Sequence, residues 1–202
     1  MGQSAVNAAK FIYVCVCFAV SVGSYRFGFS RRDSLLLITG MAFTVASDFF
    51  LVLRDTDFTG LYLFCLVHAA YLFRASRSVK KPAAAVAVTL VCSVPAFIFF
   101  DTLLANALIY ACLVAESVAA NIINFKNSDR PKVNRALALA GVLLFCLCDI
   151  NVLLFNLPRY AAVPRAIPAT AYKFIWASYL SSQFVLAISG YSFGGRKSEN
   201  RR

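Results

Sequence analysis

The sequence predicts an all-α fold: a polytopic bundle of seven transmembrane spans, amino terminus outside and carboxyl tail cytoplasmic. Three observations predict it. Of 202 residues, 60% are apolar and 14% charged, with a mean hydropathy of +0.72, outside the range of soluble domains. The apolar residues gather into seven runs, most of them near the roughly 20 residues that cross about 30 Å of hydrocarbon. The basic residues, which give a net charge of +11, collect in alternate loops. In a soluble protein that charge would suggest a nucleic-acid partner; here it is a topology signal, and no nucleic acid is called for.

The first run, 5–24, has Lys10 as its only basic flank and no small-residue cleavage site before Tyr25, so it reads as a permanent helix and not a signal peptide. The second and third, 34–53 and 58–73, are separated by a short acidic turn at Asp55 and Asp57. The fourth and fifth, 82–100 and 102–123, are parted only by Asp101, but together they are too long for one crossing. The sixth is 136–155 and the seventh 169–191. Loops after the first, third and fifth runs, with the tail, hold 15 Lys and Arg, against 4 on the opposite side, which fixes the orientation. Residues 1–202 then form a single membrane-embedded domain, expected in a cell membrane such as a bacterial inner membrane. The seven cysteines fall inside apolar runs, as small hydrophobes do, with no disulfide framework or zinc spacing.

Ionisable groups inside spans cost at least about 2.5 kcal/mol each and are site candidates by default. Five occur: Asp48, His68, Glu116, Asp149 and Lys173. At 1.5 Å per residue, Asp48 and Asp149 lie about 8 and 9 Å below the outer helix ends, Lys173 about 6 Å, Tyr110 about 12 Å and His68 about 15 Å. Glu116, about 21 Å down and about 120° round the helix from Tyr110, is left outside the site. Residues three or four apart share a face, giving rows of Gly60, Phe64, His68, Tyr71; of Gly141, Phe145, Asp149; and of Tyr172, Trp176, Tyr179, Gln183. The fifth span adds Asn106 and Tyr110. We read Asp48, Asp149 and His68 as catalytic, and Tyr71, Asn106, Tyr110, Tyr172, Lys173, Trp176, Tyr179 and Gln183 as substrate-binding. Each has a plainer reading: an aspartate as interhelical glue, a core histidine, aromatic packing, a lysine snorkelling to the interface. Two aspartates at matching depth favour the site. One histidine makes a metal centre improbable, and no metal or cofactor is called for.

These residues carry a resemblance. Gly40 to Asp48 and Leu51, then Gly60, Phe64, His68 and Tyr71, resemble the signature of the lysoplasmalogenase family, called YhhN in bacteria: a Gly-Asp helix end, an acidic turn and a Gly, Phe, His, Tyr row. The block from Gly141 through Phe145 to Asp149 resembles the family's other aspartate motif, and Tyr179 with Gln183 its closing pair. The resemblance runs from Lys10 onward with order preserved. Ser47 and Cys148 stand where the family usually has Gly and Ser, and Glu116 where it more often has an apolar residue. Larger members have eight spans, and the chain is expected to lack the first of these.

The resemblance implies hydrolysis of the vinyl ether bond of a lysoplasmalogen, a lysophospholipid, to a fatty aldehyde and a glycerophospho-headgroup. The residues suit that chemistry independently. Vinyl ethers cleave by protonation at the β carbon, and the resulting oxocarbenium ion is captured by water. This needs one carboxyl as acid and one carboxylate to steady the cation, the division of labour used on glycosidic bonds. A proton-coupled transporter or lipid-binding protein is the alternative, against which no inverted repeat or pair of Gly/Pro-broken helices is evident. A retinal protein is a third reading, but Lys173 is too near its helix end for a central Schiff base. Surrounding lipids are the remaining partners expected.

Overall fold

In a computed structural model of the chain, residues 3–54, 57–99, 102–127 and 130–193 are described, and of Gln3, Asp57 and Phe58 only the backbone. Eight α-helices occur in this part: α1 Gln3–Phe27, α2 Arg31–Asp48, α3 Asp57–Ala75, α4 Lys80–Ser93, α5 Ala96–Phe99, α6 Thr102–Asn127, α7 Lys132–Asn156 and α8 Ala166–Ile188. No strand is present among the described residues, only a β-bridge between Gly28 and Tyr191. Each of the seven apolar runs falls on helix, with ends shifted by up to four residues. The last stops at Ile188, short of the expected Tyr191, and Gly190 and Tyr191 turn out to meet α1. The turns expected at Asp55 and Asp101, and the tail beyond Phe193, lie outside the described residues.

Among the described residues five stretches are long and apolar enough to cross a membrane: Ser4–Phe27, Arg31–Leu53, Lys80–Phe99, Thr102–Asn127 and Lys132–Arg159. A shorter apolar helix is Thr59–Ala75. α8 has the length, but Pro168, Lys173, Ser181, Ser182 and Gln183 lower its hydropathy. The surface supports a membrane protein. Ile98 and Phe99 are 74% and 78% exposed, while serines, asparagines, Asp48 and His68 are buried between helices. That is the distribution lipid selects, since apolar atoms gain nothing by leaving a hydrocarbon solvent and polar ones must find partners inside.

Two features break helical regularity. Pro95 lacks an amide hydrogen and its ring crowds the preceding turn, so α4 ends at Ser93 and α5 restarts at Ala96; the tightened bonds Val94 N to Val91 O (3.2 Å) and Ile98 N to Pro95 O (3.0 Å) bridge the break. After Asp48, α2 widens into a π-turn, Phe49–Leu53. Such turns concentrate at functional sites because one extra residue re-aims the side chains around it.

Small residues let the helices approach. A Cβ at Gly141 would lie 2.6 Å from Leu186 Cγ, so α7 and α8 make their closest pairing there, and Ser182 Oγ donates to Gly141 O at 2.8 Å. On α2, a Cβ at Gly40 would lie 2.6 Å from Tyr71 Cε1 of α3, and Ser47 Oγ donates to Gly60 O at 2.7 Å. α1 meets α8 through Tyr13 OH to Leu180 O (3.2 Å) and the segment after α8 through Tyr191 OH to Val20 O (2.6 Å), closing the bundle. α4 and α5 pack at the edge, against α6 and α3.

At the end carrying the basic loops, Arg74 in the last turn of α3 is buried. Its Nε and Nη2 grip Asp33 Oδ1 and Oδ2 at 3.1 and 2.9 Å, and Nη1 donates to Ser189 Oγ at 2.9 Å. Arg130 Nη1 reaches the same carboxylate at 2.8 Å, and its Nη2 donates to the Arg74 carbonyl. Arg74 and Arg130, counted in the sequence among the loop charges that set the orientation, thus form an internal clamp on α2, α3 and the segment before α7.

Candidate functional site

Asp48 is the last α-helical residue of α2, turned inward by the helix end at the π-turn, and only 3% exposed. The Tyr179 hydroxyl, from the middle of α8, donates to its Oδ2 at 2.7 Å. Asp149 lies near the end of α7, one helical turn beyond Phe145. Its Oδ2 is buried without a hydrogen-bond partner, and the Tyr110 hydroxyl of α6 lies beside the carboxyl. The Cys148 thiol lies within the electrostatic reach of both carboxyls. Two aspartates from different helices therefore face one region, each beside a tyrosine.

A ring cluster joins the pairs. His68 is fully buried; its imidazole packs 4.8 Å from the Phe145 ring and 5.3 Å from Tyr110, and Nε2 lies 3.2 Å from the Tyr110 hydroxyl. Phe145 stands edge-on to Tyr179 at 5.7 Å, and Phe64 touches Phe145, Tyr179 and Tyr110 at 5.6, 6.4 and 6.3 Å. The order of contacts runs Asp48, Tyr179, Phe145, His68, Tyr110, Asp149. Edge-to-face rings hold each other's angle, so both hydroxyls have fixed direction. Tyr71 closes the floor, 6.4 Å from His68 and with its hydroxyl on Met41 Sδ at 3.4 Å; Gly40 leaves the room it occupies.

The other sequence candidates divide. Trp176 is on the rim, 6.1 Å from Tyr179, with Lys10 Nζ of α1 only 3.4 Å above its ring. Gln183 is fully buried one turn beyond Tyr179, and neither amide atom has a partner. Asn106 is buried and donates to Tyr62 OH at 3.0 Å, leaving Oδ1 unpaired. Tyr172 and Lys173 are exposed, Tyr172 against Phe155 at 5.6 Å, and the cluster does not gather them. Glu116 is elsewhere: its Oε1 accepts from Thr89 Oγ1 of α4 at 2.6 Å.

The buried atoms without partners, His68 Nδ1, Asp149 Oδ2, Asn106 Oδ1 and both ends of Gln183, mark polar capacity that the fold itself does not spend. Among the described residues no group of three or more His, Cys, Asp or Glu is placed to hold a metal ion. The cysteines are all free. Sequence reasoning missed the Tyr179 to Asp48 bond and the Lys10 to Trp176 contact. In the sequence Tyr179 reads as a substrate-binding member of an aromatic row and of the closing pair with Gln183, not as a partner of Asp48, and Lys10 only as a flank.

Comparison with known proteins gives one match. The model of the YhhN family covers residues 7–190, a range that contains every residue of the cluster. No curated protein and no solved structure matches.

Proposed function

The chain belongs to the YhhN family, and from that premise we propose that it is a lysoplasmalogenase-like hydrolase cleaving the vinyl ether bond of a lysophospholipid. The observation that carries the reading is the pair of carboxyls, Asp48 and Asp149, each beside a tyrosine and joined through His68 and Phe145. One carboxyl transfers its proton to the β carbon of the vinyl ether, leaving an oxocarbenium ion at the α carbon. The other, as carboxylate, stabilises that cation and takes a proton from the water that adds to it. The hemiacetal then collapses to a fatty aldehyde and the free glycerol hydroxyl, so the net reactant is one water and no redox partner is needed. Tyr179 and Tyr110 hold the carboxyl angles, and His68 relays a proton through Tyr110.

The reading includes a seven-span protein of a cell membrane, amino terminus outside, with the aspartates in the outer half. There a single-chain lipid keeps its headgroup at the interface while its tail lies among the helices. Purified protein incubated with 1-alkenyl, 1-alkyl and 1-acyl lysolipids tests it by mass spectrometry. Aldehyde from the alkenyl lipid alone is expected; absence of product across the panel overturns the assignment.

A further inference from the structure

The basic end of the bundle holds two adjoining cavities that the aspartate site does not use. One, of about 360 Å³, is lined by Ser30, Arg32, Asp33, Arg77, Asn124 and Arg130, among others. The second, of about 440 Å³, lies between α3, α4 and α6, with Leu72, Pro82, Ala85, Ala120 and Ile123 in its mainly apolar walls and Lys81 and Glu116 of opposite charge among its polar residues. Ala75, Arg77 and Asn124 belong to both, so a basic chamber and an apolar one share a wall.

The charge is unbalanced. Asp33 is already held by Arg74 and Arg130. Arg32 donates to the neutral carbonyls of Ser76 and Phe73, at 2.9 and 3.0 Å. Arg32, Arg74, Arg77 and Arg130 against Asp33 leave +3 among the described residues, and +2 if Asp129 of the connecting segment is counted. Arg130 registers the crowding: burial pulls its guanidinium below the ordinary value, Asp33 opposes this, and Arg74 and Arg32 lower it further. Planar guanidiniums gathered in this way match a phosphate. Among the described residues that line the basic chamber Asp33 is the one carboxylate, and Arg74 and Arg130 already hold it.

We propose that this end of the bundle docks an anionic glycerophospholipid, its phosphate among Arg32, Arg77 and Arg130 and an acyl chain in the groove between α3, α4 and α6. This is not the hydrolytic site with its substrate in place. Asp33 and Asp48 are separated by about 22 Å of helix, whereas a lipid's phosphate and its sn-1 oxygen are only a glycerol apart. The site would tie α4, which packs at the edge of the bundle, to α3 and α6 through the lipid.

Native mass spectrometry of the full chain in detergent tests it, with phosphatidylglycerol, phosphatidylcholine and glycerol 3-phosphate as probes. Phosphatidylglycerol should be retained in preference to both others, and Arg32→Gln and Arg77→Gln should each weaken it roughly 10-fold or more, as loss of a charge-assisted contact does. Ala120→Phe, which fills the apolar chamber, should weaken the lipid and spare glycerol 3-phosphate; Ala85→Phe makes the same test from α4 should the first variant not fold. Equal retention of phosphatidylcholine, equal affinity for glycerol 3-phosphate, or a bound lipid indifferent to all four variants would each overturn the proposal. Aldehyde release measured on the same variants reports separately on the aspartates.

Discussion

Asp48 and Asp149 are chemically alike but differently placed, one receiving a tyrosine hydroxyl at 2.7 Å and the other leaving an oxygen unpaired. Asparagine at either position keeps the shape but cannot donate a carboxyl proton or carry the charge. Asp48→Asn and Asp149→Asn should each abolish aldehyde release in protein that still purifies as a monodisperse species. The double variant should be scarcely worse than either, because groups acting as one unit are not additive; near-normal turnover in a folded single variant would sink the mechanism. His68→Gln should slow turnover by about 10- to 1,000-fold, the range for a positioned proton carrier. Tyr179→Phe, which keeps the ring packing and removes only the donor, should cost roughly 10-fold or more in kcat; a rate like the parent's would reduce the bond to packing. Both carboxyls and the histidine were legible in the sequence because lipid makes an ionisable residue conspicuous. Their partners were not: Tyr179 is 131 residues from Asp48, and the crossing of α2 with α8 alone decides that they meet. Lys173, like Tyr172, lies in the first turns of α8 and is exposed, whereas Trp176 one turn on is partly buried, so the row reaches the cluster only from Trp176 inward.

Helices as units were legible to within a turn, since hydropathy over 20 residues registers length and apolarity. Hydropathy is blind to which carbonyl an amide chooses. The π-turn after Asp48 and the break at Pro95 are both changes of backbone bonding inside apolar sequence, and neither alters the average that marks a span. The pairing of α7 with α8 was half visible in Gly141, whose place in a row with Phe145 and Asp149 suggested a pocket lining. Its actual service is to bring Leu186 within contact. Gly141→Val should therefore push the two helices apart, costing about 1–3 kcal/mol as overpacked cores do. A lowered thermal midpoint in detergent, accompanied by weakened aldehyde release because Phe145 and Tyr179 ride on those helices, is the expected result. An unchanged midpoint would mean that the helices separate freely.

For the whole molecule, the charge count predicts that the tail after α8 is cytoplasmic, with 15 of 19 loop and tail basic residues on that side. A single cysteine at Ser198 in a Cys-free background should resist an impermeant thiol reagent in intact cells and react after lysis. Labelling in intact cells would invert the topology and move both aspartates to the inner half. The closure of α1 against α8 has a consequence in time. Tyr13 and Leu180 are 167 residues apart, so at about 5–20 residues per second the first helix waits roughly 8 to 33 s for its last neighbour to emerge. Tyr179 arrives with that neighbour. During the interval Asp48 is already in place without its hydroxyl, and a ribosome that stalls before residue 166 leaves a chain carrying both acids, the histidine and Tyr110, with Asp149 beside its tyrosine and Asp48 unaimed.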